Sequence, residues 1–179
     1  MLEIVFRKLL PVLQIILLFS PLTIFAKKQS PGPILVLATA KNYGRFTSQI
    51  LHAEGFNAFR QEPLTNSTTL PYLKQFNLVI LTETAINDQQ RLLLDKYVRD
   101  GGNLIAFRPD KKLDPVFGIK TIDGILPAGY LIINTKTEIG AGLLSKPLKL
   151  HGASSLIALN GAMAIANMDA KAATTANYP

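Results

Sequence analysis

Two carboxylates and an arginine stand where a polar site would form. Glu83 follows the apolar run Leu78–Thr82, and Asp110 follows Arg108 and Pro109 at the end of Asn103–Pro109. If these runs are neighbouring parallel strands, Glu83 and Asp110 meet at one sheet edge, where open α/β sheets bind ligands. Paired carboxylates there can work as acid and base. Arg108 can anchor a sugar or a carboxylate. The structural alternatives are an Arg108–Asp110 pair that fixes the turn and a Glu83 that caps the turn after its strand. Asn42 and Tyr43, after the run Ile34–Ala40, would line the same crevice. No GxGxxG accompanies them, so a dinucleotide site is not expected.

Other chemistry is excluded by what the chain lacks. With no cysteine in 179 residues, disulfides, thiolate metal sites and Cys nucleophiles are ruled out. His52 falls inside a helical stretch and reads as a surface or half-buried helix residue. His151 has no neighbouring acid. A metal site built on the two would need a third ligand, which no spacing supplies, so neither metal nor cofactor is expected. Asp95, Asp100 and Asp114 read as solvated helix or turn positions. The net charge of +7 comes from scattered lysines such as Lys111, Lys112, Lys146 and Lys149. They form no basic stripe interleaved with aromatics, so nucleic acid is not an expected partner.

The elements that position these residues follow from hydrophobic spacing. ILVLATA (Ile34–Ala40) and LVILTE (Leu78–Glu83) are continuous apolar runs, as in strands buried on both faces of a parallel sheet. Arg45–Glu54 has helical spacing, with Phe46, Ile50, Leu51 and Ala53 as its apolar stripe and Gly55 as its stop. FNAF (Phe56–Phe59) reads as a second strand, and Leu70–Gln75 as a short helical turn. Asn87 is placed to cap a helix with Leu92, Leu93, Lys96 and Tyr97 near one face, ended by Gly101-Gly102. Asn103–Pro109 is the fourth strand. Strands joined by helical crossovers predict a right-handed parallel sheet. After Gly118, Tyr130–Thr135, Lys146–Gly152, Ser155–Leu159 and Ala162–Met168 read as short strands without helices between them. The fold class is therefore α/β: a flavodoxin-like three-layer sandwich with a mainly parallel sheet and a β-rich C-terminal extension.

An N-terminal apolar helix precedes it. Leu9–Ala26 carries no charge, after Arg7 and Lys8 and before Lys27. This fits a cleaved secretory signal or a retained membrane anchor, and both lead out of the cytosol. Residues 1–26 are thus leader or anchor, 27–33 a Pro/Gly linker and 34–179 the α/β domain. Removing residues 1–26 takes away Glu3, Arg7 and Lys8 and leaves a charge of +6.

ILVLATA, AEGFNAF, NLVILTE and YVRDGGNLIAFRPD resemble the class I glutamine amidotransferase-like superfamily, in the style of its non-amidotransferase branches in large exported bacterial proteins. The resemblance runs from about Pro33 to Tyr178. Active members carry a Cys on a sharp strand-to-helix elbow, with a His and a Glu downstream. Here the elbow strand Leu104–Phe107 is followed by Arg108-Pro109-Asp110-Lys111, and none of these supplies an activated thiol. A Gly-x-Ser-x-Gly elbow is absent as well. Such domains continue beyond a strand like Ala162–Met168, so with the ending Asn177-Tyr178-Pro179 the resemblance implies a fragment of a longer protein, a split reading frame or a degraded gene.

The resulting expectation is a non-catalytic, exported binding or scaffolding domain, located in the periplasm, outside the cell or at the inner membrane. Its expected ligand residues are Glu83, Arg108, Asp110, Asn42 and Tyr43. Carbohydrate is the candidate ligand class, with membrane contact through residues 9–26. The alternatives are an envelope hydrolase acting on glycan-like substrates through Glu83 and Asp110, and a membrane-anchored remnant without activity.

Overall fold

The structure is a computed structural model that describes residues 32–38 and 44–171. The apolar leader 1–26, most of the linker, and Asn42 and Tyr43 lie outside the described residues. Among the described residues no helix is long and apolar enough to cross a membrane.

Four parallel strands form the main sheet: β1 (Ile34–Leu37), β2 (Phe59–Glu62), β3 (Leu78–Leu81) and β4 (Leu104–Ala106), in the order β2-β1-β3-β4. The central pair is in register from Ile34 opposite Leu78 to Leu37 opposite Leu81. Successive side chains of a strand point to opposite faces, so both faces of this pair are apolar. Leu35, Leu37, Val79 and Leu81 pack on α2 (Leu70–Leu73) and α3 (Asp88–Arg99) through Leu73, Leu94 and Tyr97. On the other face, Val36, Ala38 and Ile80 meet Leu51 of α1 (Gly44–Ala53). This is the expected three-layer flavodoxin-like arrangement.

Several expected details shift. The second strand is Phe59–Glu62, not Phe56–Phe59. Phe56 is 55% exposed, and pairing begins only at Phe59 opposite Ile34. Helix α1 does not bury Phe46 and Ile50, which are 41% and 61% exposed. Its inner face is Gly44, Ser48 and Leu51, four and then three residues apart. A Cβ on Gly44 would lie 2.6 Å from the Ala38 Cβ and 2.8 Å from the Thr82 Oγ1. That close approach rotates the larger apolar residues outward. In α3 the buried residues are Leu94 and Tyr97, while Leu92 and Lys96 face solvent. The Asn87 cap is present: its side chain accepts from the Gln90 N–H, and the Gln90 side chain accepts from the Asn87 N–H.

Asp100, just past α3, accepts from Lys74 at 2.7 Å and from Lys96 at 3.1 Å. The Lys74 hydrogen bond, reinforced by Lys96, holds its carboxyl below the usual aspartate range. A depressed folded value contributes stability that is complete above the unfolded pKa, about 3.9. That stability is lost as pH falls through the folded value. Asp100→Asn should therefore be less stable than wild type at pH 7. The gap should close below about pH 4, as read from urea midpoints across pH.

After the main sheet come a 3-10 turn (Lys111–Leu113), α4 (Asp114–Phe117) and, among the described residues, five further strands. β5 (Ile119–Leu126) pairs antiparallel with β8 (Ser154–Leu159). β6 (Gly129–Ile133) pairs antiparallel with β7 (Leu148–Leu150) and β9 (Ala166–Asp169). The C-terminal half is thus β-rich, as expected, and its strands pair in two sheets separate from the main one. β9 begins at Ala166, four residues after the expected start at Ala162. β5 has no counterpart among the strands expected from the sequence.

Candidate functional site

The carboxyl ends of β3 and β4 carry three of the expected site residues, and backbone pairing sets their positions. Thr82 extends β3 by donating both its N–H and its Oγ1–H to the Leu37 carbonyl, at 3.0 and 3.1 Å. Glu83 therefore emerges directly above the sheet. The Phe107 N–H donates to the Leu81 carbonyl at 2.9 Å, which carries β4 one residue beyond its last ladder pair. Arg108 follows with φ +46°, outside glycine the only residue in the left-handed region among those described. That conformation crowds Cβ against the following carbonyl, and Pro109 restricts the residue before it further. The chain turns sharply here and enters the 3-10 turn and α4. It has the form of a strand-to-helix elbow, with an arginine at its apex.

Arg108 does not pair with Asp110. Its Nη1 meets the Glu83 Oε2 at 3.4 Å, and the two side chains are 65% and 32% exposed. Asp110 serves the backbone with both oxygens. Oδ1 accepts from the Lys112 N–H at 3.0 Å and caps the 3-10 turn. Oδ2 accepts from the Ile86 N–H at 3.2 Å and ties the loop after β3 to the turn after β4. Asp110 thus lies at the expected edge, and its hydrogen bonds are those of a structural tether. Asn42 and Tyr43, the remaining expected site residues, fall outside the described residues.

A cleft of about 750 Å³ opens above this edge, between the elbow and the β5–β8 ribbon. Glu83, Arg108, Asp110 and Lys111 give it a charged side. Ile119, Thr121, Ile157 and Met168 form the opposite wall. The wall is fixed by Asp114, which accepts from the Thr121 N–H at 2.6 Å and from its hydroxyl at 3.0 Å. Gly118, at φ +62°, completes the anchor, with its carbonyl accepting from Asn160 and Ala162. A Cβ there would stand 2.9 Å from the Ala162 nitrogen.

Sequence reasoning places Ile157 and Met168 on expected strands but misses Ile119 and Thr121, because it misses β5. The signal is present in Ile119-Lys120-Thr121-Ile122, an apolar–polar alternation. Asp123-Gly124 then mimics a hairpin turn. In the fold it is a bulge, where the register shifts between Ile122 and Ile125 and Gly124 takes φ +117°.

The histidines stay apart from the cleft. His52 is exposed on α1, with Nδ1 2.8 Å from the Asn57 Oδ1 and its ring 4.7 Å from that of Phe59. Among the described residues no group of three or more His, Cys, Asp or Glu is placed to hold a metal ion.

The backbone at Arg108 gives a direct test of whether function holds this residue in place. A left-handed non-glycine residue costs about 1–2 kcal/mol. Glycine returns roughly 0.5–1 kcal/mol of that through its freer unfolded chain. Exposed ion pairs such as Arg108–Glu83 contribute about 0–1 kcal/mol. Arg108→Gly is therefore expected to stay within roughly 1–1.5 kcal/mol of wild type in urea denaturation, because the relief of strain and the two losses nearly offset, while the charge facing the cleft is lost.

No family model matches the sequence, and no curated protein matches it. Among solved structures, the fold is similar to that of a ThuA-like protein from Bacteroides uniformis. The TM-score is 0.55 at 14% identity, over 75% of this chain and 64% of that one. A GMP synthase protein from Thermoplasma acidophilum gives a TM-score of 0.47 at 13% identity, over 69% of this chain and 66% of that one. The chain spans less than two thirds of the length of either protein. At such identity the likeness to the ThuA-like protein is one of fold. It agrees with the flavodoxin-like α/β arrangement expected from the sequence.

Proposed function

We propose that this chain is a non-catalytic, exported binding domain whose ligand occupies the cleft above β3 and β4. The observation that carries this reading is Arg108. The resemblance puts a nucleophile on the elbow after the fourth strand, and here that elbow holds a guanidinium, which always carries its proton and cannot attack. The chain has no cysteine to take that role from elsewhere. A strained residue kept at a cleft is a pointer to function, and a cation aimed into a cleft beside an apolar wall has the make-up of a binding site. The uncharged run Leu9–Ala26 supports export.

The hydrolase alternative draws less support. A general acid or base must reach the substrate's proton, and both oxygens of Asp110 accept from backbone N–H groups. Incubating the purified chain with chromogenic glycosides and soluble cell-wall glycans tests the choice. We expect no turnover above that of the Glu83→Gln/Asp110→Asn double variant. Hydrolysis that disappears in that variant would replace the binding reading with the enzymatic one. Export is tested separately by N-terminal sequencing of protein recovered from expressing cells, where a start near Lys27 is expected.

A further inference from the structure

We infer that the cleft selects an aliphatic carboxylate: Arg108 holds the head group, and the chain lies along Ile119, Ile157 and Met168. This rests on the cleft being the ligand site, and it replaces carbohydrate as the ligand class.

Two observations carry it. First, the guanidinium has capacity to spare. Arginine offers five N–H donors in a planar fork that matches a carboxylate bidentately. Among the described residues Arg108 makes one hydrogen bond, to Glu83 at 3.4 Å. Charge-assisted contacts of this type are shorter when well formed, about 2.7–2.9 Å. The Arg108–Glu83 contact is thus a long one, which a better-aligned carboxylate can replace on the guanidinium. Lys111 adds a second cation to the same rim, at 3.6 Å from Asp123.

Second, the wall opposite is aliphatic. Ile119, Ile157 and Met168 face the cleft, and Ile157 is 50% exposed. A methylene chain laid there would remove apolar surface from water, and the flexible thioether of Met168 adapts to its shape.

The test is isothermal titration of the purified chain with butanoate, hexanoate and octanoate, alongside octanol, octylammonium and glucuronate. Affinity should rise about two- to fourfold for each added methylene that reaches the wall. Octanol and octylammonium should bind at least tenfold more weakly than octanoate. Arg108→Gln should weaken octanoate at least tenfold and leave octanol unchanged. Glu83→Gln should tighten octanoate severalfold, because it removes the competing carboxylate. Both side chains are solvent-accessible, so both variants are expected to fold, and the two shifts have opposite signs. Glucuronate binding as tightly as octanoate, or octanol doing so, would overturn the ligand class and leave the cleft as a binding site. Absence of octanoate binding also overturns the class. If none of the six compounds binds and none shifts the amide resonances of Glu83, Arg108 or Thr121, the cleft reading falls with it.

Discussion

Leu81→Ala should lower the unfolding free energy by roughly 2–5 kcal/mol, the range for truncating a buried leucine. Leu81 is 1% exposed and belongs to the main apolar cluster with Leu37, Leu94, Tyr97 and Leu113. Domains of this size are stable by about 5–15 kcal/mol, so the loss is a large fraction of the total. The position also matters to the site. Leu81 pairs with Ala106, its carbonyl receives the Phe107 N–H, and Glu83 stands two residues further on. The cavity left by the substitution would open beneath the elbow. Urea denaturation gives the stability loss, and faster amide exchange at Phe107 than at Val79 would show that the loosening is greatest below the cleft.

Gly102→Ala should cost about 3 kcal/mol, at the upper end of what overpacking a core typically costs. A Cβ at Gly102 would lie 2.4–2.5 Å from three atoms of the Tyr97 ring. That ring has little room to retreat, because Tyr97 is 1% exposed and its hydroxyl donates to the Asn103 carbonyl at 3.3 Å. The Asn103 carbonyl also receives the Val79 N–H at 2.9 Å, so the clash reaches the start of the β3–β4 pair. Gly101→Ala instead meets no atom within 4 Å and suffers only from its φ of +89°. It should therefore be the milder of the two, by about 1–2 kcal/mol, given the cost of a left-handed alanine. Thermal denaturation of the two variants side by side checks the order.

The sequence and the fold agree best where burial is greatest. β1 and β3 are enclosed on both faces, so they appear in the sequence as unbroken apolar runs, and both lie where those runs place them. Asn87 is legible because a cap depends on local chemistry alone. β2 is displaced from its expected position because Phe59-Arg60-Gln61-Glu62 is an edge strand, half-exposed or exposed throughout. The more apolar Phe56–Phe59 carries the stronger strand signal beside it. The inner face of α1 differs from the expected stripe because Gly44 and Ser48 carry almost no hydrophobic signal. They are buried through closeness of approach, which periodicity of large residues does not report. At the site, strand order alone brings Glu83, Arg108 and Asp110 to one edge. Their partners depend on the sharp turn at Arg108, and sequence spacing says nothing about that. The β5 part of the aliphatic wall is hidden behind the bulge at Asp123-Gly124, and with it the packing of Ile119 beside Ile157.

Amide chemical-shift mapping of the labelled protein against a library of carboxylate and carbohydrate fragments tests the account most directly. Perturbations are expected to cluster at Glu83, Arg108, Thr121 and Ile157, to vanish in Arg108→Gln, and to leave every fragment intact by mass spectrometry. Perturbations centred away from this cleft, or a fragment recovered cleaved, would contradict the account.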